Sequence, residues 1–467
     1  MTEPDRDVAD GKQVDLRVGD VVPFGEAVRA WFAISLQTIG GPAGQIAVMQ
    51  RTLVEERRWI GPRRFLHALS FCTLLPGPEA QQLAIYVGWL LNGLRGGLVA
   101  GILFVLPGVV ALLVLSAFYV GYGDSSVVTA IFAGLAPAVL AIVAQAVVRL
   151  GGRTFGHPAP IVLAVVSFVA LWAFQVPFPF VIAAAAVIGW ALGRWVPGAF
   201  RPAAHGDGDD GPPPLIPDDA LHVERPSARH TATVLAIGLV AWGVPVAAVA
   251  LLTDGEGVLT EQSLFFSGAA LVTFGGAYAV LAYVAQRAVE VYGWLGPGEM
   301  VRGLALAETT PGPLIMVVQF VAFVGAYREP GSLNPWVAAV IAALLTTWVT
   351  FVPCFVFIFL GAPYVERVRG NRSLSAALNG ITAAVVGVIA NLAVFFALHT
   401  VFAETSRVSW GPVTVTVPDP SSVRWTSVVI AAVAALLLFR LRWTVLRTLG
   451  ACAALGLLAS LVGLPVD

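Results

Sequence analysis

Two Pro-Gly-Pro tripeptides, Pro76–Pro78 and Pro311–Pro313, interrupt apolar stretches of the sequence. Proline removes a backbone donor and glycine permits unusual dihedral angles, so we expect a helix to break at each tripeptide. A helix break inside a membrane must line a cavity or be buried in protein. The half-helix that begins after each break aims its free N–H groups and the positive end of its dipole at whatever occupies the break. The chemistry that this pattern favours is the binding of an anion.

Polar side chains and two Gly-Gly pairs accompany these breaks. Glu79 follows the first break, where it could cap the half-helix, carry a proton or compete with the anion, whereas Glu308 precedes the second break and has no capping role. The hydroxyl groups of Thr309 and Thr310 could donate to an oxyanion or bond back to their own helix. The substrate-binding residues expected at the breaks are Gly40, Gly41, Pro42, Pro76, Gly77, Pro78, Glu79, Gln82, Gly275, Gly276, Glu308, Thr309, Thr310, Pro311, Gly312 and Pro313.

The composition excludes a soluble globular protein. Of the 467 residues, 12% are charged and 58% are hydrophobic, and the mean hydropathy is +0.83, whereas soluble proteins contain about 25% charged residues. The net charge of −1 offers no electrostatic field for a nucleic acid. The three cysteines lack the spacing of metal ligands, and no nucleotide-binding glycine motif occurs. We therefore expect no cofactor, no metal and no enzymatic activity.

Apolar stretches of the length of a membrane-spanning helix recur along the chain. They number about thirteen, which predicts an all-α polytopic membrane protein. A polar segment rich in proline and glycine divides them into two halves. The expected organisation is a polar cytoplasmic N-terminal tail (1–23), a first membrane repeat (24–196), a flexible cytoplasmic linker (197–229), an extra inverting helix (230–260) and a second membrane repeat (261–467).

The two halves are related by an internal duplication. When segment 40–78 is aligned without a gap on segment 275–313, 12 of its 39 positions are identical, and these include the Gly-Gly pair, Gly61-Pro62 and the Pro-Gly-Pro tripeptide. Seven of the expected spans separate equivalent points, and an odd number of crossings inverts the second copy. Secondary transporters use inverted repeats with helices broken at matching positions to build a substrate site at the bilayer midplane. The duplication therefore predicts two inverted-topology repeats with Gly/Pro-broken helices.

The arginines predict the orientation of the chain. Most arginines near the ends of the spans fall on one side, which predicts a cytoplasmic N-terminus and an external C-terminus. Arg51, Arg57, Arg58, Arg63 and Arg64 violate this rule if every span crosses the membrane. Either the segments around them are re-entrant, or these arginines have a purpose that overrides topology. Because Arg51 follows Gly40 by eleven residues, we expect it in the vestibule of the anion site.

Five motifs resemble those of the long-chain, two-repeat chromate ion transporters. They are TLLPGPEAQQLA at 73–84, FVLPG at 104–108, VTFGGAYAV at 272–280, AETTPGPLIM at 307–316 and FVPC at 351–354. One departure is Ile39, where the family motif commonly has phenylalanine. The resemblance runs from about residue 24 to the C-terminus. It implies a bacterial inner-membrane protein that exports chromate, with sulfate as the natural isostere, and that confers resistance to chromate.

Several functional classes stay open at this point. The leading hypothesis is a secondary exporter of a tetrahedral oxyanion, working as a uniporter or as a proton antiporter. A passive oxyanion channel would use the same helix dipoles, and an importer of sulfate-like anions would need a cotransported cation. A membrane-embedded reductase lacks any redox cofactor motif in this sequence. The expected partners are chromate or sulfate and membrane lipid, while proton coupling and a homodimer are left open.

Overall fold

The computed structural model describes residues 21–39, 41–123, 125–196, 214–217, 228–253, 255–274, 276–362 and 372–465. These residues are almost entirely helical. The first repeat contains α1 (Phe24–Gln37), α2 (Gly41–Gln50), α3 (Pro62–Cys72), α4 (Glu79–Tyr122), α5 (Ser126–Thr154), α6 (Pro158–Trp172) and α7 (Phe178–Trp195). Helix α8 (Ala228–Leu252) stands between the repeats.

The second repeat follows the same order of elements. It contains α9 (Val258–Val272), α10 (Ala277–Gln286), α11 (Pro297–Thr309), α12 (Val317–Arg328), α13 (Pro335–Gly361), α14 (Arg372–Val401), an antiparallel hairpin of β1 (Thr405–Trp410) and β2 (Val413–Pro418), α15 (Trp425–Ala435) and α16 (Val445–Leu461). Helices α2 and α10 each continue into a π-helical turn, Arg51–Glu56 and Arg287–Val291.

Helices α1 and α2 form a re-entrant hairpin. The guanidinium of Arg57, just after α2, lies 2.9 Å from the carboxylate of Glu26 at the start of α1. A second hairpin consists of α3 and the first part of α4, which is interrupted by non-helical dihedral angles at Asn92 and Gly93. Its end lies beside the start of α1, because the side-chain amide of Asn92 donates to the carbonyl of Val22 at 2.6 Å. Both hairpins therefore begin and end at one end of the helix bundle, here called the proximal end.

The hairpins explain why the five arginines violate the orientation rule. Because α1 and α2 fold back, Arg57 and its neighbours return to the end at which the chain entered the bundle. Residues 214–217 lie at the same end, since the N–H of Ile216 donates to the carbonyl of Trp59 at 3.1 Å. The segments around these arginines are therefore re-entrant, which is the first of the two alternatives offered by the sequence. The arginines then join the positive side of the protein and need no further purpose to account for their position.

The hairpins of the second repeat lie at the opposite end, here called the distal end. Arg328 at the end of α12 forms two hydrogen bonds of 2.7 Å with Glu299 at the start of α11, so these helices also fold back. The same end receives the second part of α4, since Gly121 faces Trp336 at the start of α13. The second part of α4 therefore begins at the proximal end, after Asn92, and ends at the distal end.

Inversion of the repeats follows from the number of crossings. In the described ranges, nine apolar helices connect the two ends: the second part of α4, α5 to α8, and α13 to α16. Six of the described helices, α4, α5, α7, α8, α13 and α14, are long and apolar enough to cross a membrane, and α6, α15 and α16 are shorter apolar helices. Five of them separate the breaks of the two repeats. Four of the thirteen apolar segments expected from the sequence are re-entrant hairpins, so seven expected crossings become five. Five, like seven, is an odd number of crossings, so the second repeat is inverted as predicted.

Equivalent residues of the two repeats share unusual backbone angles. Gly41 and Gly276, which the duplication aligns, have φ of +78° and +99°, and the aligned pair Gly77 and Gly312 has φ of +123° and +106°. Only glycine adopts such angles readily. The duplicated glycines of the sequence are therefore the positions at which both copies of the chain turn in the same unusual way.

The later helices are also duplicated, with larger offsets. Helices α5 and α14 begin at Ser126 and Arg372, and α6 and α15 begin at Pro158 and Trp425, because loops of the second repeat are longer. The same glycine contact occurs in both repeats. Gly134 of α5 packs against Gly456 of α16, and the equivalent Gly380 of α14 packs against the equivalent Gly189 of α7. The pseudosymmetry thus covers α1–α7 and α9–α16, and α8 has no counterpart.

The boundaries expected from the sequence stay predictions for the parts outside the described ranges. Most of the tail (1–23) and of the linker (197–229) lies there. Helix α8 begins at Ala228 and α9 at Val258, two and three residues before the expected boundaries at 230 and 261. Within the expected flexible linker, the described residues 214–217 are held by a parallel β-bridge between Ile216 and Ile60.

We expect opposite sidedness for two equivalent exposed positions, Arg63 of α3 and Gly298 of α11. In separate Arg63→Cys and Gly298→Cys variants, a membrane-impermeant maleimide should label one from the interior and the other from the exterior of oriented vesicles. The described cysteines of the parent chain are buried, so the parent supplies the background. Labelling of both variants from the same face would contradict the inverted arrangement.

Candidate functional site

The Pro-Gly-Pro breaks join the two repeats. The N–H of Gly77 donates to the carbonyl of Thr273 at 2.8 Å, and the N–H of Gly312 donates to the carbonyl of Thr38 at 2.9 Å. Because Thr38 and Thr273 are equivalent positions, the contact is exchanged reciprocally between the repeats. Both threonine residues are fully buried. These glycine N–H groups are thus occupied by protein carbonyl groups, and their role in this conformation is to hold the two break regions together.

A cavity of about 360 Å³ lies beside this contact, and the Gly-Gly breaks line it. The N-terminus of α2 contributes Gly41, Pro42 and Ala43, and the N-terminus of α10 contributes the equivalent residues Gly276, Ala277 and Tyr278. The first N–H groups of an α-helix have no partner within the helix, and its dipole is positive at this end. Two half-helices from inverted repeats therefore present their positive ends to one cavity.

Helix α5 adds formal positive charge to the cavity. Gln145, Arg149 and Arg153 line it, and their spacing of four residues places them on one face of the helix. In the part of the chain that the structure describes, neither guanidinium lies within 4 Å of a carboxylate. The carboxylate among the lining residues is that of Glu79, at the N-terminus of α4. The cavity as a whole suits an anion with more than one negative charge.

Arg149 and Arg153 are two of the arginines near the ends of spans from which the orientation is predicted, and the sequence assigns them no place in the anion site. A local signal existed, because two arginines four residues apart at the end of an apolar helix occupy one face. No local signal, however, placed that face opposite residues more than 100 positions away in each direction. Tyr278 was likewise not singled out, because its role depends on the contact that it makes with Glu308.

The structure brings some of the expected site residues together and separates others. Gly41, Pro42, Glu79 and Gly276 line the cavity, and Gly40 and Gly275 lie outside the described residues. Gln82 donates to the carbonyl of Pro76 instead. Not among the lining residues are Pro76, Gly77, Pro78, Gln82, Glu308, Thr309, Thr310, Pro311, Gly312, Pro313 and Arg51.

The hydroxyl groups of Thr309 and Thr310 bond back to their own helix and do not face an anion site. They donate to the carbonyls of Leu306 and Ala307, at 2.8 and 3.0 Å, within their own helix. Arg51 is an exposed residue whose guanidinium contacts Gln37 at 2.9 Å and Glu56 at 3.3 Å. These three residues therefore make local contacts in this conformation.

Glu308 is buried next to the cavity without being part of its wall. Its side chain is 1% exposed, and one carboxyl oxygen accepts a hydrogen bond of 2.6 Å from the hydroxyl of Tyr278. The other carboxyl oxygen, Oε2, has no hydrogen-bond partner. Tyr278 lines the cavity, so one hydroxyl group connects the anion cavity to a buried acid. Isolated acidic groups at membrane depth are costly and usually serve a function.

Several known proteins are similar to this chain over most of its length. The chromate transport protein of Pseudomonas aeruginosa is 31% identical over 371 residues, which cover 75% of this chain and 75% of that protein. The chromate transport protein of Cupriavidus metallidurans is 26% identical over 365 residues (78% and 80%). The probable chromate transport protein of Synechococcus elongatus is 27% identical over 357 residues (76% and 80%). No solved structure matches the chain. The family model described as chromate transporter matches residues 25–190 and 260–457, in both repeats, and the chain therefore belongs to the chromate transporter family.

Proposed function

We propose that the protein is a secondary transporter that exports chromate across the bacterial cytoplasmic membrane and thereby gives resistance to chromate. The observation that carries the proposal is the cavity shared by the N-termini of α2 and α10 and by Arg149 and Arg153. Its volume of about 360 Å³ falls within the range of small-molecule pockets. Sulfate has the same charge and tetrahedral shape as chromate, so we include it as a second substrate.

The charges of the cavity match a dianion. Each helix N-terminus contributes roughly half a positive charge, and the two guanidinium groups contribute one each. A guanidinium can donate two parallel hydrogen bonds to an oxyanion, which an ammonium cannot do. Glu79 offsets part of this charge and gives the cavity an internal counter-ion. Binding thus combines charge with hydrogen-bond donors, as recognition of an oxyanion requires.

The orientation of the protein and the membrane potential together support export. The arginines of the hairpins, residues 214–217 and the end of α5 lie at the proximal end, so the positive-inside rule favours a cytoplasmic proximal end. The cavity extends toward this end along Arg149, Arg153 and Val445 at the start of α16. Moving a dianion out of a negative-inside cell is favoured by about 4.6 kcal/mol per 100 mV. An exporter therefore needs no other energy source, whereas an importer would need a cotransported cation.

We propose that proton coupling acts through Glu308. A buried carboxyl group linked by Tyr278 to the anion cavity can hold a proton in one state and release it in another. We expect Glu308→Gln to remove the response of chromate flux to a pH gradient while leaving flux driven by voltage. Tyr278→Phe is the matched variant, because it removes only the hydroxyl that joins the acid to the cavity. A pH response unchanged in both variants would exclude Glu308 as the proton carrier.

The test of the proposed function is flux of radiolabelled chromate and sulfate in proteoliposomes. Voltage and pH gradients are imposed separately, and protein-free liposomes are the control. A carrier should show saturation and should exchange unlabelled for labelled chromate across the membrane. Flux that rises linearly with concentration would instead indicate a passive channel, and uptake only with a cotransported cation would indicate an importer.

A further inference from the structure

A second cleft lies at the distal end, on the far side of the two breaks from the cavity. The turn between α6 and α7, helix α10 and helix α14 line it, and its free volume is about 50 Å³. Among its lining residues are Gln175, Gln286, Asn391 and His399. Nothing described so far gives this distal cleft a role.

The pseudosymmetry makes the distal cleft the counterpart of the cavity. When α14 is aligned with α5 from their first residues, Asn391 and His399 of α14 are equivalent to Gln145 and Arg153 of α5. Gln145 and Arg153 line the cavity, and Asn391 and His399 line the distal cleft. The same face of each duplicated helix therefore borders one of the two spaces.

Two more polar residues of the distal cleft, Gln286 and Gln175, also have equivalents at the proximal end. Gln286 is equivalent to Arg51 in the alignment of the Gly-Gly pairs, and Gln175 is equivalent to Arg442 when α6 is aligned with α15. The second equivalence is visible in the backbone, since Gln175 and Arg442 have φ of +52° and +54°, rare values for residues other than glycine.

Equivalent residues are bonded at the distal end and separated at the proximal end. The side-chain amide of Gln286 donates to Gln175 Oε1 at 3.0 Å, which connects α10 to the turn between α6 and α7. The corresponding side chains of Arg51 and Arg442 are both exposed, and Arg51 bonds Gln37 and Glu56. The distal cleft, with a volume of about 50 Å³, is also smaller than the cavity, with a volume of about 360 Å³.

The β1–β2 hairpin contacts two walls of the distal cleft. Arg407 of β1 forms an ion pair of 3.1 Å with Glu290, which lines the cleft. The N–H of Thr414 in β2 donates to the carbonyl of Ala173 at 2.8 Å, in the turn that carries Gln175. The side-chain amide of Gln175 also donates to the carbonyl of Thr414, at 3.5 Å. These contacts connect the hairpin to two walls of the cleft.

Two arginines lie beyond the distal cleft. His399 also lines a neighbouring pocket of about 60 Å³, together with Arg302, Thr400 and Arg424. Thr400 is 5% exposed, and its hydroxyl oxygen has no hydrogen-bond partner. Within the ranges given for the structure, no carboxylate lies within 4 Å of either guanidinium. A hydroxyl donor and two cations without a carboxylate partner suit an anion that leaves the cleft.

We propose that the distal cleft is the second half of the oxyanion path, closed in this conformation. When it opens, Asn391 and His399 contact the tetrahedral dianion as Gln145 and Arg153 do in the cavity, and Arg302 and Arg424 receive it beyond them. Opening requires the Gln175–Gln286 hydrogen bond and the Arg407–Glu290 ion pair to separate. The inference rests on the proposed function, because it assigns the other half of the same path.

The test is a reversible crosslink across the distal cleft. In a Gln175→Cys/Gln286→Cys double variant, a short bis-methanethiosulfonate crosslinker that joins the two thiols should reduce chromate flux to that of protein-free liposomes, while chromate binding measured by titration calorimetry stays at the parent value. Reduction, followed by removal of the reductant, should restore flux. Asn391→Ala should likewise lower flux without weakening binding. Normal flux through fully crosslinked protein, or loss of binding together with flux, would overturn the proposal.

The matched control is a crosslink at the same end that does not span the cleft. Ser406 and Val417 are directly opposite each other in the β hairpin, and both are exposed. The same crosslinker in a Ser406→Cys/Val417→Cys variant should leave flux unchanged. Failure of the proposed function would look different, because the uncrosslinked parent would then neither bind nor move chromate.

Discussion

Replacing Arg149 by glutamine should raise the half-saturating chromate concentration at least tenfold. A hydrogen bond to a charged group contributes about 1.5–3 kcal/mol, and each 1.4 kcal/mol corresponds to about a tenfold change in affinity. Arg149 lines the cavity and has no carboxylate within 4 Å among the described residues, so its guanidinium is available to the substrate. Flux in proteoliposomes at a fixed membrane potential gives the concentration dependence.

Two further variants separate charge from geometry. Arg149→Lys keeps the charge but loses the planar pair of donors, so a several-fold weakening is expected, smaller than that of the glutamine variant. Arg63→Lys is the control, because Arg63 is exposed at the proximal end and does not line the cavity. If Arg149→Gln and Arg63→Lys both matched the parent protein, the anion site would not lie in this cavity.

Replacing Gly77 or Gly312 by leucine should abolish flux. Both glycines have φ above +100°, where a residue with a side chain costs about 1–3 kcal/mol. A Cβ atom at Gly77 would also lie 2.8 Å from the sulfur of Cys354. Either substitution forces the backbone to rotate and breaks the hydrogen bond to the threonine of the other repeat. Because Gly41 and Gly276 follow those threonines by three residues, the cavity walls should move.

The size of the effect should differ between the two glycines when alanine is introduced. A Cβ atom at Gly312 would be no closer than 3.4 Å to any neighbour, so Gly312→Ala should retain more flux than Gly77→Ala. Gly268→Leu is the control, since Gly268 is exposed on α9 and a Cβ atom there has no neighbour within 4 Å. The amount of folded protein is checked by size-exclusion chromatography. Folded leucine variants with normal flux would show that the breaks do not position the path.

Much of the fold could be predicted because it rests on local or periodic signals. Low charge and long apolar stretches are enough to predict a membrane protein, because lipid excludes both charge and unsatisfied backbone. Glycine and proline fix the breaks through their own dihedral restrictions, and so Gly77 and Gly312 could be chosen from the sequence alone. The constant offset between matching motifs revealed the duplication, and the motifs that carry it also carried the resemblance to the family.

The path of each apolar segment was not predictable in the same way. Hydropathy reports that a segment is buried in lipid or protein, and a re-entrant hairpin such as α1 and α2 has the same composition as a crossing helix. What separates them is a tertiary contact, here the ion pair between Arg57 and Glu26. The inversion could nevertheless be predicted. The sequence counts two hairpin segments of the first repeat as crossings, and removing two crossings from seven still leaves an odd number.

The sequence by itself determined the class of protein, the repeat, the family and the positions of the helix breaks. The tertiary structure decided which break faces the cavity. The sequence does not indicate which backbone N–H groups are bonded within the protein and which face a cavity. The N–H groups of Gly77 and Gly312 donate to carbonyl groups of the other repeat. The N-termini of α2 and α10 line the cavity instead. The tertiary structure also decided that Arg149 and Arg153 belong there, because the direction of a helix face depends on the packing of helices distant in sequence.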